Sequence, residues 1–243
     1  MPRRCNLIWS DSMAFKDGDF LEVEYTVWDK ASGSVIATTD EKKAKEANVY
    51  NERTKYGPVL LVVGSQGVLK GLDREVRGLK ENDVKKFTFS PEEAFGERNE
   101  SLVRVMPLSA FRERNIDPYP GMEVELDNIT AIVRSVTSGR VTVDANHPYA
   151  GKYVEYEVKV RKLLSTEKEK VDAIANSYGV KPSGVKLEGE RVEVLYDNSI
   201  SKNADYFIGK ASFIASLFSY LKDVKKVEVK EEYIRAEEKK KQS

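Results

Sequence analysis

Few residues in this chain are equipped for acid–base or nucleophilic chemistry. The sequence contains one histidine, His147, and one cysteine, Cys5, which excludes an intrachain disulfide and a Cys/His zinc site within a single chain. His147 directly precedes Pro148, a context typical of a turn. The adjacent carboxylates Glu92 and Glu93 are interpreted as structural, because neighbouring side chains in a loop do not converge on one substrate.

The elements around these residues follow from hydrophobic periodicity. Alternation over 20–28 predicts a strand with one buried face. Further strands are predicted over 35–39, 59–63 and 84–89, and a helix over 69–79. The segment Gly64-Ser-Gln-Gly67 lacks the Gly-Lys-Ser/Thr ending of a phosphate-binding loop and is interpreted as a turn.

The second half of the chain changes character twice. Short strand-like pieces over 98–150 predict a small β-rich insert between two strands of a parent domain, with one continuous β domain as the alternative. Beyond Leu164, helical spacing over 167–178 and 205–221 and strand-like segments at 192–196 and 224–229 predict an α+β C-terminal domain.

The charge composition of the chain limits the kinds of binding partner that are expected. The 243 residues include 40 Lys+Arg and 40 Asp+Glu, so the formal net charge is zero. This balance argues against a protein that coats nucleic acid or binds membranes through a polybasic surface. No apolar run is long enough to predict a transmembrane helix. The expected location is the cytoplasm, and residues 1–12 are predicted to form a disordered extension.

Three motifs then carry a family resemblance: Gly64-x2-Gly-Val68-Leu69-Lys-Gly71-Leu72-Asp, Gly78-Leu-x3-Asp83 and Pro91-Glu-Glu-Ala-Phe95-Gly96. In this order they resemble the FKBP-type peptidyl-prolyl cis–trans isomerases. The segment Val143–Lys152 resembles the end of the flap insert in the SlyD-like subgroup, and long archaeal members add a C-terminal domain.

The resemblance implies an α+β fold, with an FKBP-like antiparallel β-sheet, one short helix, a β-rich insert in the flap and a C-terminal α+β domain. The predicted boundaries are 13–97 with 151–164 for the isomerase domain, 98–150 for the insert and 165–243 for the C-terminal domain with its charged tail. The family resemblance also implies a proline-binding pocket, which is lined by Tyr25, Ile36, Val59, Val68, Leu69, Leu72, Phe95 and Tyr156.

Within this implied pocket, Tyr25 and Tyr156 form aromatic walls, Leu72 forms the floor, and the backbone N–H of Leu69 binds a carbonyl beside the proline. Two positions depart from the family pattern. Ala37 stands where an acidic residue is usual, and Phe95 stands where many members have tyrosine. Both changes remove polar groups near the reacting amide, so reduced activity is expected.

The insert is expected to bind client polypeptides, because its apolar residues exceed what a unit of this size can bury. The residues assigned to this role are Val103, Val105, Met106, Leu108, Phe111, Ile129 and Ile132. The main hypothesis is therefore an isomerase with chaperone activity that acts on unfolded or proline-containing polypeptides. A weakly catalytic or non-catalytic holdase is the alternative.

No cofactor is implied, and no metal, because the chain lacks the His-rich tail of many SlyD-like proteins. The zero net charge and the lack of a long apolar run predict neither nucleic acid nor membrane as a partner. The aromatic residues of the last long helix could form either a domain core or the interface of a homodimer.

Overall fold

The computed structural model describes residues 15–126, 129–202 and 204–234. The extension predicted over 1–12 and the charged tail at 237–243 lie outside these residues.

The described chain folds into twelve strands and five helices. The strands are β1 (Phe20–Asp29), β2 (Val35–Thr38), β3 (Val59–Val62), β4 (Val84–Phe89), β5 (Val103–Pro107), β6 (Glu123–Leu126), β7 (Ile129–Thr137), β8 (Arg140–Asp144), β9 (Val154–Leu164), β10 (Gly184–Glu188), β11 (Arg191–Tyr196) and β12 (Lys226–Glu231). The helices are α1 (Glu41–Glu46), α2 (Lys70–Val76), α3 (Leu108–Arg112), α4 (Glu167–Ser177) and α5 (Ala204–Tyr220).

The first sheet is antiparallel and has the order β2–β1–β9–β4, with β3 also paired to β1. Alternation along β1 buries Leu21, Val23 and Val27, while Glu22 and Glu24 stay partly exposed. The buried side chains share a core with helix α2. This arrangement confirms the predicted antiparallel sheet with a short helix against it, and α1 adds a second short helix.

The segment between β4 and β9 forms a separate antiparallel sheet of order β5–β8–β7–β6 with its own core. Phe89 pairs with Val154, and the Gly151 N–H donates to the Gly96 carbonyl at 2.8 Å, so the chain leaves and re-enters the first sheet at one place. We therefore retain the inserted domain at 98–150 as a proposal.

The C-terminal part contains a three-stranded sheet, β10–β11–β12, with helices α4 and α5. Helix α4 begins at a capping box in which Thr166 and Glu169 satisfy each other's backbone N–H groups. Its core also includes Phe20, Val62 and Leu164 of the first sheet. One face of the first sheet therefore packs in the core of the C-terminal unit, which the sequence reasoning did not anticipate.

Candidate functional site

The eight residues assigned to the proline pocket lie around one hydrophobic core, although they come from six separate segments of the chain. Leu72 and Tyr156 are buried within this core, and the other six are partly exposed at its edge. Residues that pack on a core and keep part of their surface exposed can contribute to the wall of a binding pocket.

Two tyrosines contribute aromatic rings to this set, and the fully buried Phe89 supports them from the core. The ring centroids of Tyr25 and Tyr156 are 6.0 Å apart with the rings tilted by 39°. Tyr156 also contacts Phe89, with the centroids 5.6 Å apart. Both distances fall in the range of favourable aromatic pairs, which fixes the ring orientations.

Burial changes the acid–base properties of these tyrosines. Desolvation raises the pKa of the Tyr25 hydroxyl, and desolvation together with the nearby Tyr25 raises the pKa of Tyr156. Both hydroxyls are therefore neutral at physiological pH. They can exchange hydrogen bonds with a bound amide but cannot act as general bases.

Two threonines on and after β2 hold Tyr25 in place. The Tyr25 N–H donates to the Thr39 hydroxyl at 3.0 Å, and the hydroxyls of Thr38 and Thr39 each donate to the Tyr25 carbonyl at 3.2 Å. Sequence reasoning treated these threonines as ordinary strand residues. No local signal marks them, since their partner lies 13 or 14 positions away.

Helix α2 carries Leu72 and is fixed to the sheet by two close contacts. The Asp73 carboxylate accepts a hydrogen bond of 2.6 Å from the Gly64 N–H in the preceding turn. Gly71 lies against the Phe89 ring, where an added Cβ would come within 2.6 Å of a ring carbon. A glycine is therefore required for the helix to approach the sheet this closely.

Leu69 directly precedes this helix. Within the described residues, no group accepts a hydrogen bond from the Leu69 N–H. Because Leu69 is only partly buried, this donor is available to a bound carbonyl.

Phe95 lies in an aromatic cluster that the sequence did not reveal. The imidazole of His147 stacks on Phe95 with the ring centroids 4.5 Å apart and the planes within 5°. Tyr149 contacts both rings, at 5.7 Å and 5.8 Å. His147 is thus more than a turn residue, because it joins the returning end of the insert to one wall of the pocket.

The loop before Phe95 is tied to helix α2. Arg74 forms an ion pair with Glu93, and the Ser90 N–H donates to the same carboxylate at 3.2 Å. Arg74 lowers the pKa of Glu93, so the pair stays charged at neutral pH. Glu93 therefore has the structural role that the sequence analysis assigned to it.

Among the described residues, Asp40 is the acidic residue nearest to Ala37 along the chain. Ala37 is partly buried and pairs with Val27 across the two strands. The Asp40 carboxylate accepts hydrogen bonds from the N–H groups of Lys42 and Lys43, at 2.8 and 3.2 Å. Asp40 therefore caps helix α1 through its carboxylate.

The insert has an open groove of about 360 Å³ at one end of its core, lined by Leu102, Arg104, Val105, Met106, Leu126, Ile129, Ala131, Val143 and Ala145. Of the residues assigned to client binding, Val105, Met106 and Ile129 line this groove. Leu108 is partly buried against the insert core.

The other three assigned residues lie elsewhere. Val103 and Ile132 pair with Asp144 from opposite sides and do not line the groove. Phe111 is only 1% exposed in the insert core. Its burial is inconsistent with client contact, so we leave Phe111 out of the client surface.

No group of three or more His, Cys, Asp and Glu side chains in the described part of the chain is arranged to hold a metal ion. Among the described helices, none combines the length and the apolar character needed to cross a membrane.

Comparison with known proteins places this geometry in context. The model of the FKBP-type peptidyl-prolyl cis-trans isomerase family matches residues 12–110, and the model of the FKBP26 IF domain matches residues 104–149. The short-type peptidyl-prolyl cis-trans isomerase of Methanocaldococcus jannaschii is 33% identical over 63% of this chain and 97% of its own length.

Two bacterial proteins are similar over shorter stretches. A probable FKBP-type 16 kDa peptidyl-prolyl cis-trans isomerase of Pseudomonas fluorescens is 31% identical, over 42% of this chain and 71% of its own. The FKBP-type isomerase SlyD of Aeromonas hydrophila is 29% identical, over 61% of this chain and 64% of its own.

Proposed function

This chain belongs to the FKBP-type peptidyl-prolyl cis-trans isomerase family, and from that membership we propose that it accelerates the isomerisation of X–Pro bonds in unfolded polypeptides. The reaction takes place in the pocket bordered by Tyr25, Ile36, Leu69, Phe95 and Tyr156. The observation that carries this proposal is the packing of the eight assigned residues on one hydrophobic core, with six of them partly exposed.

The chemistry of the reaction suits such a surface. Rotation about the X–Pro bond takes tens of seconds unaided, because the planar amide loses its resonance in the transition state. The planar amide is more polar than the twisted one. An apolar pocket therefore destabilises the ground state relative to the transition state and needs no base or nucleophile.

The unpartnered Leu69 N–H supplies the one oriented donor of this mechanism. Hydrogen bonding to the carbonyl beside the proline fixes the substrate, so that the apolar walls act on the rotating bond. The neutral hydroxyls of Tyr25 and Tyr156 offer further hydrogen bonds without adding charge.

Ile36→Glu tests the location of the site, because a carboxylate at this partly buried position makes the pocket polar. We expect catalysis of a short proline peptide to fall at least tenfold. Thr88→Glu is the matched control, since Thr88 is exposed on β4 and is not among the assigned pocket residues. Equal rates for the two folded variants would contradict this location.

A second activity is proposed for the insert, which we expect to hold unfolded polypeptides in the groove beside Val105, Met106 and Ile129. Val105 and Ile129 are exposed despite their apolar character, as in a surface that binds many partners. A holdase with little catalysis remains the alternative, which the absence of an acid at Ala37 favours.

The test of this second activity is suppression of aggregation, followed by light scattering with a chemically unfolded client. Val105→Asp combined with Ile129→Asp should abolish suppression. Tyr119→Asp is the control, because Tyr119 is an exposed apolar residue of the insert outside the groove. Loss of suppression in the control as well would contradict a defined site.

A further inference from the structure

A cleft of about 920 Å³ separates the first sheet from the helices of the C-terminal unit. One wall is the segment that leads into β3, including Arg53, Lys55, Tyr56 and Val59. The opposite wall is formed by the end of α4 with Tyr178 and by Ile208 on α5. Its volume lies at the upper end of the range for ligand sites, which occur preferentially between structural units.

The cleft adjoins the proline pocket. Val59 is common to both, because it lines the cleft and also packs at the edge of the pocket core. Leu60, the next residue of β3, packs instead on the C-terminal core, so the cleft lies on the other face of the sheet. Since β3 pairs only with β1 among the described strands, a polypeptide whose proline occupies the pocket can reach the cleft by passing around this edge of the sheet.

The sheet-side wall is fixed before any ligand binds. The Tyr56 hydroxyl accepts a hydrogen bond of 2.9 Å from the Asn51 N–H, and the Tyr56 ring stacks on Tyr50 at 5.4 Å. These contacts hold the segment between residues 51 and 56 in a closed turn. A preformed wall lowers the entropy lost on binding.

The helix-side wall is equally fixed. Gly209 packs against the backbone of Tyr178, so that α5 and the end of α4 lie too close for a side chain at this position. The Tyr178 hydroxyl is hydrogen-bonded to Ser216 at 2.7 Å. Next to this contact, Ile208 is 78% exposed although it faces the cleft.

The charges of the cleft favour one kind of ligand. Arg53 and Lys55 are exposed, and neither side chain forms an ion pair with any residue that the structure describes. Glu22 is the single acidic residue among those lining the cleft. The site therefore combines excess positive charge with an exposed aliphatic side chain.

We propose that this cleft binds the client segment that flanks the isomerising proline, with a preference for segments that combine acidic and aliphatic residues. Acidic side chains would lie beside Arg53 and Lys55, and an aliphatic side chain would contact Ile208. The inference rests on the proposed isomerase function. It gives the C-terminal unit a direct part in substrate selection.

The test compares a labelled proline tetrapeptide with two longer peptides. One longer peptide carries an eight-residue extension of Glu and Leu before the tetrapeptide, and the other carries the same extension after it. Linkage of two contacts on one chain raises the effective concentration of the second. We expect one of the extensions to lower the Kd, measured by fluorescence anisotropy, at least tenfold. Replacing Glu by Lys in that extension should remove the gain.

Charge reversal locates this gain. In the double variant Arg53→Glu and Lys55→Glu, the Kd of the tetrapeptide divided by the Kd of the tighter-binding extended peptide should fall to about one. Lys168→Glu with Lys222→Glu changes the net charge equally at exposed lysines that do not line the cleft, and should keep the full ratio. Equal loss in both double variants would overturn the proposal, because the gain would then reflect overall charge.

Ile208→Gln and Phe207→Gln provide the apolar comparison. Both residues are exposed on α5, but only Ile208 lines the cleft. The Ile208 variant should lose several-fold in the affinity gain, and the Phe207 variant should not. Sedimentation of the Ile208 and Phe207 variants tests whether a second copy of this chain occupies the cleft. A dimer that dissociates only in Ile208→Gln would overturn the proposal.

Catalysis of the unextended tetrapeptide separates this inference from the function on which it rests. A wild-type protein that catalyses its isomerisation but binds long and short peptides equally overturns the cleft proposal alone. Absence of catalysis would contradict the isomerase function, and the affinity ratio would still decide whether the cleft binds peptide.

Discussion

At the scale of single residues, the proposed pocket lacks charged groups at Ala37 and at the two tyrosines. Ala37 has no carboxylate to orient the amide, and burial keeps the hydroxyls of Tyr25 and Tyr156 neutral. In the proposed mechanism, rate acceleration then comes from exclusion of water and from neutral hydrogen-bond donors such as the Leu69 N–H. This explains why the sequence lacks a recognisable acid–base pair.

Ala37→Asp should increase turnover of a short proline peptide about three- to tenfold. A carboxylate at this partly buried position restores an electrostatic contact to the amide, although partial exposure reduces its strength. The isosteric Ala37→Asn is the control and should give a smaller gain. Unchanged or lower turnover in folded Ala37→Asp would show that the missing acid does not limit this protein.

Gly71→Ala should lower the stability of the protein by about 1–3 kcal/mol, because the new methyl group overlaps the Phe89 ring. Turnover should also fall, since α2 carries Leu72. The matched control is Gly67→Ala, where an added Cβ would meet no atom within 4 Å. Urea denaturation of both variants measures the difference, and equal stabilities would contradict the assigned contact.

The residues of the proposed pocket could be assigned from the sequence because the family motifs fix their order, and this assignment stays a prediction. The residues that hold them could not. Thr38 and Thr39 act through the backbone of Tyr25, and His147 contacts Phe95 from 52 positions away. Contacts between distant segments leave no periodicity or spacing in one sequence.

At the scale of elements, the junction of the insert is organised around a buried aspartate. Asp144 forms ion pairs with Arg98 at 2.8 Å and Arg134 at 3.0 Å, and accepts a hydrogen bond from the Asn146 amide at 2.8 Å. Burial alone would raise the pKa of Asp144, but these partners outweigh it and lower the pKa to about 2.

This shift predicts how acid affects stability. An unfolded aspartate titrates near pH 4, so the contribution of Asp144 is complete above that pH and is lost as pH falls from about 4 to 2. Asp144→Asn should cost about 2 kcal/mol at pH 7, and the difference from wild type should shrink over the same window. The exposed Asp117→Asn is the control. A difference that does not vary with pH would contradict the assignment.

The ends of the insert lie close together, since the Ala145 N–H donates to the Leu102 carbonyl at 3.0 Å. A short Gly-rich bridge replacing residues 103–144 would retain His147 and Tyr149 beside Phe95. Catalysis of a short peptide should survive within about tenfold, because closing this loop costs little. Refolding of a proline-limited protein should fall much further, since a second contact raises the effective concentration of the client.

Three measurements on this bridged variant separate isomerase activity from client holding: the rate of peptide isomerisation, the rate of protein refolding and the suppression of aggregation. Aggregation suppression should be lost together with refolding activity. Equal losses on peptide and protein, in a variant shown to be folded by circular dichroism, would mean that the insert shapes the pocket and has no separate role in holding clients.

The longer elements of the chain were predictable, as were the short strands β2 and β3, but several short elements of the insert and the C-terminal unit were not. Strand β1 and helix α5 show clear periods over 10 and 17 residues. Strand β5 ends at Pro107 and directly precedes α3, which has only five residues. Strand β10 is equally short. Segments of this length carry too little pattern to be distinguished from loops, and packing against neighbours determines them.

At the scale of the whole molecule, the C-terminal unit is more closely joined to the isomerase sheet than the sequence suggested. Phe20, Val62 and Leu164 bury side chains in its core, and the cleft lies along this junction. The alternating strands predicted only one buried face. A sheet that buries residues on both faces requires a second partner, and its identity cannot be read from periodicity.

The homodimer predicted through the C-terminal unit stays a prediction. Phe213 is buried in the core, whereas Phe207 and Phe218 remain exposed on α5. Sedimentation of the full chain at several concentrations would decide whether these exposed rings are covered by a second copy.

The central claim is that an apolar pocket, without an acid or a base, isomerises the X–Pro bond. The most direct test is kcat/KM of the wild-type protein on a short proline peptide from pH 6 to pH 8, in a protease-free assay, since this range covers the titration of an ordinary histidine. We expect measurable catalysis that is nearly constant across the range. A bell-shaped profile that becomes flat in His147→Phe, or no catalysis at any pH, would contradict the account.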